Sequence, residues 1–467
     1  MAKRFLLFAL MLLSTRGLTA HSVLTLVDTW ISLRQIDLSP ALYHDTNGYP
    51  RLDFAKLPAD QRQIIARDHR AYVLENEFLR LTLLPEMGRV YSLVNKLTGH
   101  EQFWTNSIAK PIGANNDTGW WMVWGGIEYT LPRGEHGTTW ALPWSHEIVE
   151  NSPERKAVRM SVIEPVTRIE QRLTISLRPR QVFFETEILL RNSGVAPALY
   201  SHWMNPMWAP GGRGELTPET ELIVPCTAMI VLDRNFNQWM LGERVQEFEY
   251  NPLRFVKHWR SMGDLLAERL TAGFYSAFSH EANEGVVRVF DPRKNPGMDI
   301  WTWGFPPAPQ HQQEFSQLPN LGYVEMWGGT ARDYSDEARQ VLRPSETRRW
   351  KEWIYSYNGI EGLTHADREF AVNFLVHSNR VHLGIFATRD LDGVDLRLRH
   401  GTNEVLAARL GLRPERPFVF GLTNQFDNGP VPMLSLKSRG RPALHLSAKP
   451  VRPLSFGHPY LPAPARD

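Results

Sequence analysis

Two short segments hold the residue types from which proton transfer on a sugar can be built. In RNSGVAPALYSHWMNPMW, Arg191 to Trp208, the chain places His202 and Asn205 among Tyr200, Trp203 and Trp208; further on, GYVEMW, Gly322 to Trp327, supplies Glu325 and Trp327. An imidazole can donate a proton near neutral pH, a carboxylate can accept one, and flat apolar rings can hold a pyranose. Read singly, His202 fits a hydrogen-bonded core histidine and Glu325 a solvated strand residue; read together, they are the candidate catalytic pair.

Other segments could complete such a site. WWMVWGGIEY, Trp120 to Tyr129, is the densest aromatic stretch, and Trp120, Trp121 and Trp124 can either stack on sugar rings or fill a core between sheets. Gly125-Gly126 beside them would let a ligand approach the backbone closely. Glu128 with Glu325 forms a carboxylate pair of the type used in glycoside hydrolysis, where their separation decides the stereochemical outcome. Arg89, after Gly88 in EMGRVY, could bind a carboxylate or a hydroxyl, which matters for a uronic acid. HSNRVH (His377 to His382), HEANE (His280 to Glu284) and DLDGVD (Asp390 to Asp395) lack a recognised ligand spacing, so no metal is expected. There is no Walker loop, dinucleotide fingerprint or GxSxG elbow, and no organic cofactor is required.

The elements that must position these residues read as strands. Val23 to Gln35 is an opening strand, followed by a polar connection to about Arg70 with one short helix expected at Pro58 to Ala66. Tyr72 to Trp104 alternates apolar and polar residues, punctuated by Gly88 and by Thr98-Gly99, which is hairpin patterning. Alternation recurs in AVRMSVIEP, TRIEQRLTISL and QVFFETEILL, the last two joined by a tight RPRQ link into an antiparallel pair. One amphipathic helix is expected at Phe255 to Thr271, from Trp259, Met262, Leu265, Leu266 and Leu270 at helical spacing. Strands then resume through GFYSAFS, GVVRVFD, MDIWTWG, GYVEMWG and RRWKEWIYSY. Many strands, few helices and no fixed repeat predict an all-β fold built as a large antiparallel sandwich. After Gly362 the texture changes: short strands without tryptophan, from Phe370 to about Leu446, suit a small immunoglobulin-like β-sandwich with a Pro-rich tail. The expected division is therefore 1–20, 21–70, 71–362 and 363–467.

Composition narrows the partners. The 467 residues carry 52 basic and 50 acidic side chains, a net charge of +2, which gives no electrostatic case for nucleic acid or an anionic membrane. All 16 tryptophans lie between Trp30 and Trp353. Met1 to Ala20 has a secretory layout, with Lys3 and Arg4, an apolar run from Phe5 to Leu13 and small residues at Thr19-Ala20; the run is too short to span a membrane, so export to the periplasm or the medium is expected. One cysteine, Cys226, excludes an internal disulfide, and its apolar setting, LIVPCTAMIVL, predicts a buried, inert thiol.

The segments LENEFLRLTLLPEMGRVYSLVNKLTG (Leu74 to Gly99), GGIEYTLPRGEHGTT (Gly125 to Thr139), NSGVAPALYSHWMNP (Asn192 to Pro206), DPRKNPGMDIWTWG (Asp291 to Gly304), GYVEMWGG and LRPSETRRWKEWIYSY resemble, in that order, the galactose mutarotase-like superfamily. They look closest to a bacterial domain of that superfamily that often precedes tetratricopeptide repeats, which this sequence does not carry. The resemblance implies a twisted antiparallel supersandwich. It also implies that His202, in a motif similar to the mutarotase one, protonates a ring oxygen, and that Glu325 takes the proton of an anomeric hydroxyl. Where mutarotases carry another substrate-binding histidine, this chain reads GGIEYTLPRGEHG, leaving Glu128, Arg133, Glu135 or His136 for that side of the pocket. The expected pocket thus holds His202 and Glu325 with Arg89, Trp120, Trp121, Trp124, Glu128, His136, Asn205, Trp303 and Trp327. The expected ligand is a saccharide or polysaccharide and the expected activity epimerase-like. A glycosidase or polysaccharide lyase, or a glycan-binding module without catalysis, are the alternatives.

Overall fold

A computed structural model describes residues 24–57, 63–114, 117–232, 239–240, 242–308, 322–377, 379–423, 429–452 and 454. The expected leader at 1–20 lies outside the described residues. The main sheet uses β1 (Thr25–Ile36), β2 (Ile64–Glu75), β3 (Leu79–Leu84), β4 (Arg89–Asn95), β5 (Thr105–Gly113), β6 (Trp120–Gly125), β7 (Ile127–Thr130), β8 (Trp203–Trp208), β9 (Gly263–Ala267), β10 (Gly297–Thr302) and β11 (Val324–Gly329). Its order from one edge is Arg244–Gln246, Ala228–Val231, β9, β10, β11, β8, β7, β4, β3, β2, β1, β5, β6, with His100–Glu101 paired to β4, giving 14 strands. Pairing is antiparallel except for the single parallel register Gln35↔Ala109.

A second sheet of eight strands runs Ser145–Asn151, Lys156–Ile163, Ile169–Leu177, Phe183–Asn192, Thr347–Asn358, Glu284–Val289, Phe274–Ser279 and Thr220–Ile223. The core lies between the sheets, where Leu81, Val90, Ile127, Met204 and Trp208 meet Leu173, Phe184, Ile188, Val287 and Ile354. Strand alternation gives the main sheet a second apolar layer on its far side, with Trp104, Trp121, Trp303 and Tyr323. That far layer carries the pocket described below.

Beyond Gly362, a sheet built on Phe370–His377, Arg380–Ala387 and Phe418–Thr423 accompanies a four-stranded sheet built on Leu391–His400, Asn403–Leu412, Met433–Lys437 and Leu444–Ser447. Their core, Phe374, Leu383, Leu396 and Leu436 among others, is separate from the main one. The two bodies are joined directly, as Val182 N–H donates to Thr388 O at 2.9 Å and Arg180 holds Asp390 at 2.9 Å. Cys226 is half-buried, and burial pushes its thiol up to about 12.

Neither expected helix is present among the described residues. The segment expected as a helix at Phe255 to Thr271 is a single 3-10 turn, Val256–His258, followed by strand β9. β9 lies between Ala228–Val231 and β10, so adjacent Leu265 and Leu266 are both buried, one on each face. A strand buried on both faces reads as an apolar run whose spacing does not separate it from a helix. Of the other expected helix, residues 58–62 lie outside the described residues, while Ile64 to Ala66 open β2.

Candidate functional site

Strand register decides which side chains share the pocket. Directly opposed residues of an antiparallel pair point to one face, and a one-residue offset changes the face. Glu128 on β7 opposes Asn205 on β8, and Met207, two residues on, opposes Glu325 on β11. Glu325 opposes Trp301 on β10, and Trp301 opposes Asp264 on β9. Asn205, Glu325, Trp301 and Asp264 therefore share the far face of the main sheet, away from the core between the sheets.

There Glu325, Trp301 and Asp264 border a pocket of about 410 Å³. Its aromatic wall is Trp121, Trp301, Trp303, Trp327, Tyr323 and Tyr334. Its polar groups are Glu325, His136, Glu135, Asp264 and Asp299; none of the described lining residues is a lysine or arginine.

Glu325 is 4% exposed, and two donors meet at its Oε2: Trp327 Nε1–H at 2.7 Å and Asn205 Nδ2–H at 3.2 Å. Burial lifts its carboxyl to about 7, against the pull of His136 and of the Trp327 and Asn205 donors, with Glu128 adding to the rise. Near neutral pH it is thus poised between acid and base, which general acid–base work requires.

His136 supplies the imidazole. Its ring stacks on Trp121 at 3.8 Å between centroids, meets Trp327 edge-on at 5.3 Å, and sets Nδ1 3.3 Å from Glu128 Oε1. Glu128 is in turn fixed by the Trp121 indole N–H at 2.8 Å and by an ion pair with Arg89, whose other arm donates to Gly125 O at 2.6 Å. Burial opposes ionisation of Glu128, but Arg89, His136 and Trp121 outweigh it and hold the carboxyl below its ordinary value. A carboxylate behind an imidazole selects its tautomer and leaves the second ring nitrogen for a ligand.

Asp299 and Asp264 form a second acidic feature. Burial, then the neighbouring Asp264, raises Asp299 well above its ordinary value, and the Tyr334 hydroxyl donates to Asp299 Oδ2 at 3.3 Å. Two neighbouring carboxylates disfavour each other's ionisation, which adds to the rise that burial imposes on Asp299. Burial, and after it the Glu325 charge, also pushes the Tyr323 hydroxyl up.

His202 is the main correction. It is 1% exposed and sits on the opposite face, edge-on to Trp350 at 5.2 Å and near Tyr129, in the core between the sheets. Burial, then the Arg288 charge, lowers its imidazole to about 3, so it is neutral at physiological pH. It is three residues from Asn205, an odd spacing, and along an extended chain that alone places the two side chains on opposite faces.

Trp120 and Trp124 are also outside the pocket. Trp121 points inward, while its even-numbered neighbours face the other way: Trp120 donates to Pro50 O at 3.0 Å and packs on Trp140, and Trp124 packs on His69 at 5.4 Å. Arg89 is committed to Glu128 and is buried behind the wall, so it does not face a ligand. The space at Gly125-Gly126 is taken by the chain itself: a Cβ on Gly126 would stand 2.4 Å from Val90 O. The expected residues that do line the pocket are Trp121, His136, Trp303, Glu325 and Trp327; Glu128 and Asn205 support them from behind. Asp264, Asp299, Trp301, Tyr323 and Tyr334 join the wall without having been expected there. Asp299, Trp301 and Trp303 alternate in MDIWTWG, a pattern that puts them on one face, whereas the helical reading of its segment hides Asp264.

Residues 46–355 match the family model described as Domain of unknown function (DUF5107), and residues 365–429 match the model for the second domain of YphG-like proteins. Among solved structures, a TPR-domain containing protein from Parabacteroides distasonis aligns at TM-score 0.58 and 18% identity, over 74% of this chain and 58% of that one. The Slr1438 protein of Synechocystis aligns at TM-score 0.47 and 14% identity, over 62% of this chain and 96% of that one. A galactose mutarotase-like protein from Clostridium acetobutylicum gives 0.44 and 12%, over 62% and 96%. The likeness to the Parabacteroides protein is one of fold, and this chain spans 58% of its length. The fold shared with the Parabacteroides protein agrees with the antiparallel β-fold read from the motifs.

Proposed function

The chain belongs to the DUF5107 family, and on that premise we propose that it is an exported protein that binds a saccharide in the Trp-lined pocket and carries out acid–base chemistry at or near the anomeric centre. The observation that carries this reading is the placing of His136 and Glu325, one backed by Glu128 and the other lifted to about 7, on the wall of one aromatic pocket. The indoles of Trp121, Trp301, Trp303 and Trp327 offer apolar faces to the carbon–hydrogen side of a sugar ring. The carboxyl groups of Glu325, Asp264 and Asp299 accept from its hydroxyls, and the acidic wall favours a neutral saccharide over a uronic acid.

In this mechanism ionised Glu325 takes the proton of the anomeric hydroxyl while His136, entering as the imidazolium paired with Glu128, gives its Nε2 proton to the ring oxygen and is left neutral with Nδ1–H toward Glu128. The bond from the anomeric carbon to the ring oxygen breaks as the carbonyl forms. Rotation and closure with the protons returned give the other anomer. Each well-placed transfer contributes about 10² to 10⁴ in rate. Glycoside cleavage is the second reading, favoured by the raised carboxyl of Asp299, a candidate general acid on the same wall as Glu325.

Proton NMR of the anomeric region tests both, using freshly dissolved neutral sugars and polysaccharides. Faster anomer exchange, lost in Glu325→Gln and in His136→Ala, supports the epimerase-like reading, and new reducing ends support the second. Ligand line broadening with no new species, unchanged in Glu325→Gln, leaves a binding module and rejects catalysis.

A further inference from the structure

Where the second sheet meets the C-terminal body, four guanidinium groups converge on a polar cleft of about 220 Å³: Arg178 and Arg368 with Arg389 and Arg441. They come from four separate segments, and the backbone beneath them is pinned. Asn76 Nδ2–H donates to Arg178 O at 2.7 Å and to Gln181 O at 2.8 Å, Gln181 bridges to Arg389, and Thr388 Oγ1–H donates to Arg368 O at 2.6 Å.

The carboxylates at this cleft are already engaged. Glu369 accepts from Arg389 Nη2 at 2.5 Å and from Ser438 Oγ at 2.6 Å, with Arg441 at 3.5 Å. Glu185 is held by Lys351 at 2.7 Å and by the Trp353 indole at 3.0 Å. Arg178 and Arg368 form no ion pair within 4 Å among the described residues; Arg178 reaches Glu154 O at 3.4 Å and feels the Glu150 charge only at longer range, and Arg368 lies 5.5 Å over the Trp353 ring. Four guanidinium groups thus line the cleft with Glu185 as its one lining carboxylate, and like charges held together by a fixed scaffold repel unless an anion lies between them.

We propose that this cleft is an oxyanion site, taking a phosphate or sulfate group through the forked N–H donors of Arg178 and Arg368, with Arg389 and Arg441 completing the positive field. Planar guanidinium forks match tetrahedral oxyanions in geometry as well as charge, and the cleft has room for such a group at the end of a larger molecule. The site is distinct from the acidic aromatic pocket in position, charge and ligand, and does not depend on the reading of that pocket.

Isothermal titration of the full chain with inorganic phosphate and with sulfate, at constant ionic strength set with chloride, tests this. The expected result is saturable binding of one anion per chain, weakened about tenfold or more in Arg178→Gln and in Arg368→Gln. Neither variant removes an ion pair, and unchanged thermal unfolding checks that each still folds. Arg441→Gln, at a side chain 44% exposed, repeats the test should either fail to fold. Glucose 6-phosphate and glucose 6-sulfate form the second arm: tighter binding than the free anions identifies an ester-bearing glycan as the source, and equal or weaker binding identifies the free anion. Absence of saturable binding over the chloride control, or binding unchanged in all three variants, overturns the proposal.

Discussion

The two faces of the main sheet carry the same residue types and use them oppositely. On the core face, His202 lies among Trp350, Tyr129 and Arg288, whose Nε–H is bound to Glu352 at 2.8 Å while the Trp350 indole donates to the same carboxylate at 2.8 Å. On the pocket face, His136 lies among Trp121, Trp327 and Glu128, and Glu325 is paired with indole and amide donors rather than with a guanidinium. Each face thus has an imidazole, indoles and carboxylates. The core face satisfies its charges internally and keeps its histidine neutral. The pocket face leaves one carboxyl near half-ionised beside open space. An inventory of residue types does not separate the packed face from the pocket face here; the side of the sheet does.

The largest effect expected from that contrast is on the core face. Arg288→Leu leaves Glu352 buried without its cation and costs roughly 3–5 kcal/mol in chemical denaturation. A smaller loss would mean the pair is not the core's electrostatic anchor.

The pH response comes next, and its sign differs between faces. His202 titrates at about 3 when folded against an ordinary 6.5, so between those values the unfolded chain binds the extra proton and stability is lost as pH falls. Glu325 titrates at about 7 against an ordinary 4.5, so between those values the folded chain binds the extra proton and stability is lost as pH rises. In Glu325→Gln the loss between pH 4.5 and 7 should disappear, leaving that variant more stable than the parent above pH 7 by up to about 3 kcal/mol. Denaturation midpoints measured across this range decide it, and a variant destabilised at pH 8 would refute the poised carboxyl. If Glu325 is the base, any turnover should rise with pH through a midpoint near 7.

The smallest stability effect is expected at His136, 12% exposed and on the pocket wall. His136→Ala should cost within about 1 kcal/mol and, if the pocket works as proposed, abolish turnover. His202→Ala should do the reverse, losing about 1–3 kcal/mol and keeping ligand affinity. Paired thermal shift and binding measurements on the two variants test this exchange of roles directly.

Much of this arrangement is legible in the sequence, because alternation is a local property. The runs from Tyr72 to Trp104 and from Thr167 to Leu190 give their strands through it, and VEMW fixes Glu325 and Trp327 on one face. The same rule, applied to the odd interval from His202 to Asn205, separates His202 from Glu325. His136 is harder to place as a working group. It lies in a loop, at φ +67°, where no periodicity says which way a side chain points. The Asp264–Asp299 pair joins strands 35 residues apart across a register that only the folded sheet defines, Leu266 opposite Asp299. A strand apolar on both faces gives no hint of it.

The register that joins β7, β8 and β11 also has a kinetic side. Asn205 and Glu325, bonded in the pocket wall, are 120 positions apart, and β11 is inserted between β8 and β10. During synthesis the chain can complete β1 to β10 and bury much of its first core while the wall still lacks its central strand. Contacts of such long range form late because the intervening loop must close first. Ligand affinity should therefore emerge only after β11 docks, which makes pocket binding a sensitive reporter of completed folding and of any truncation before Val324.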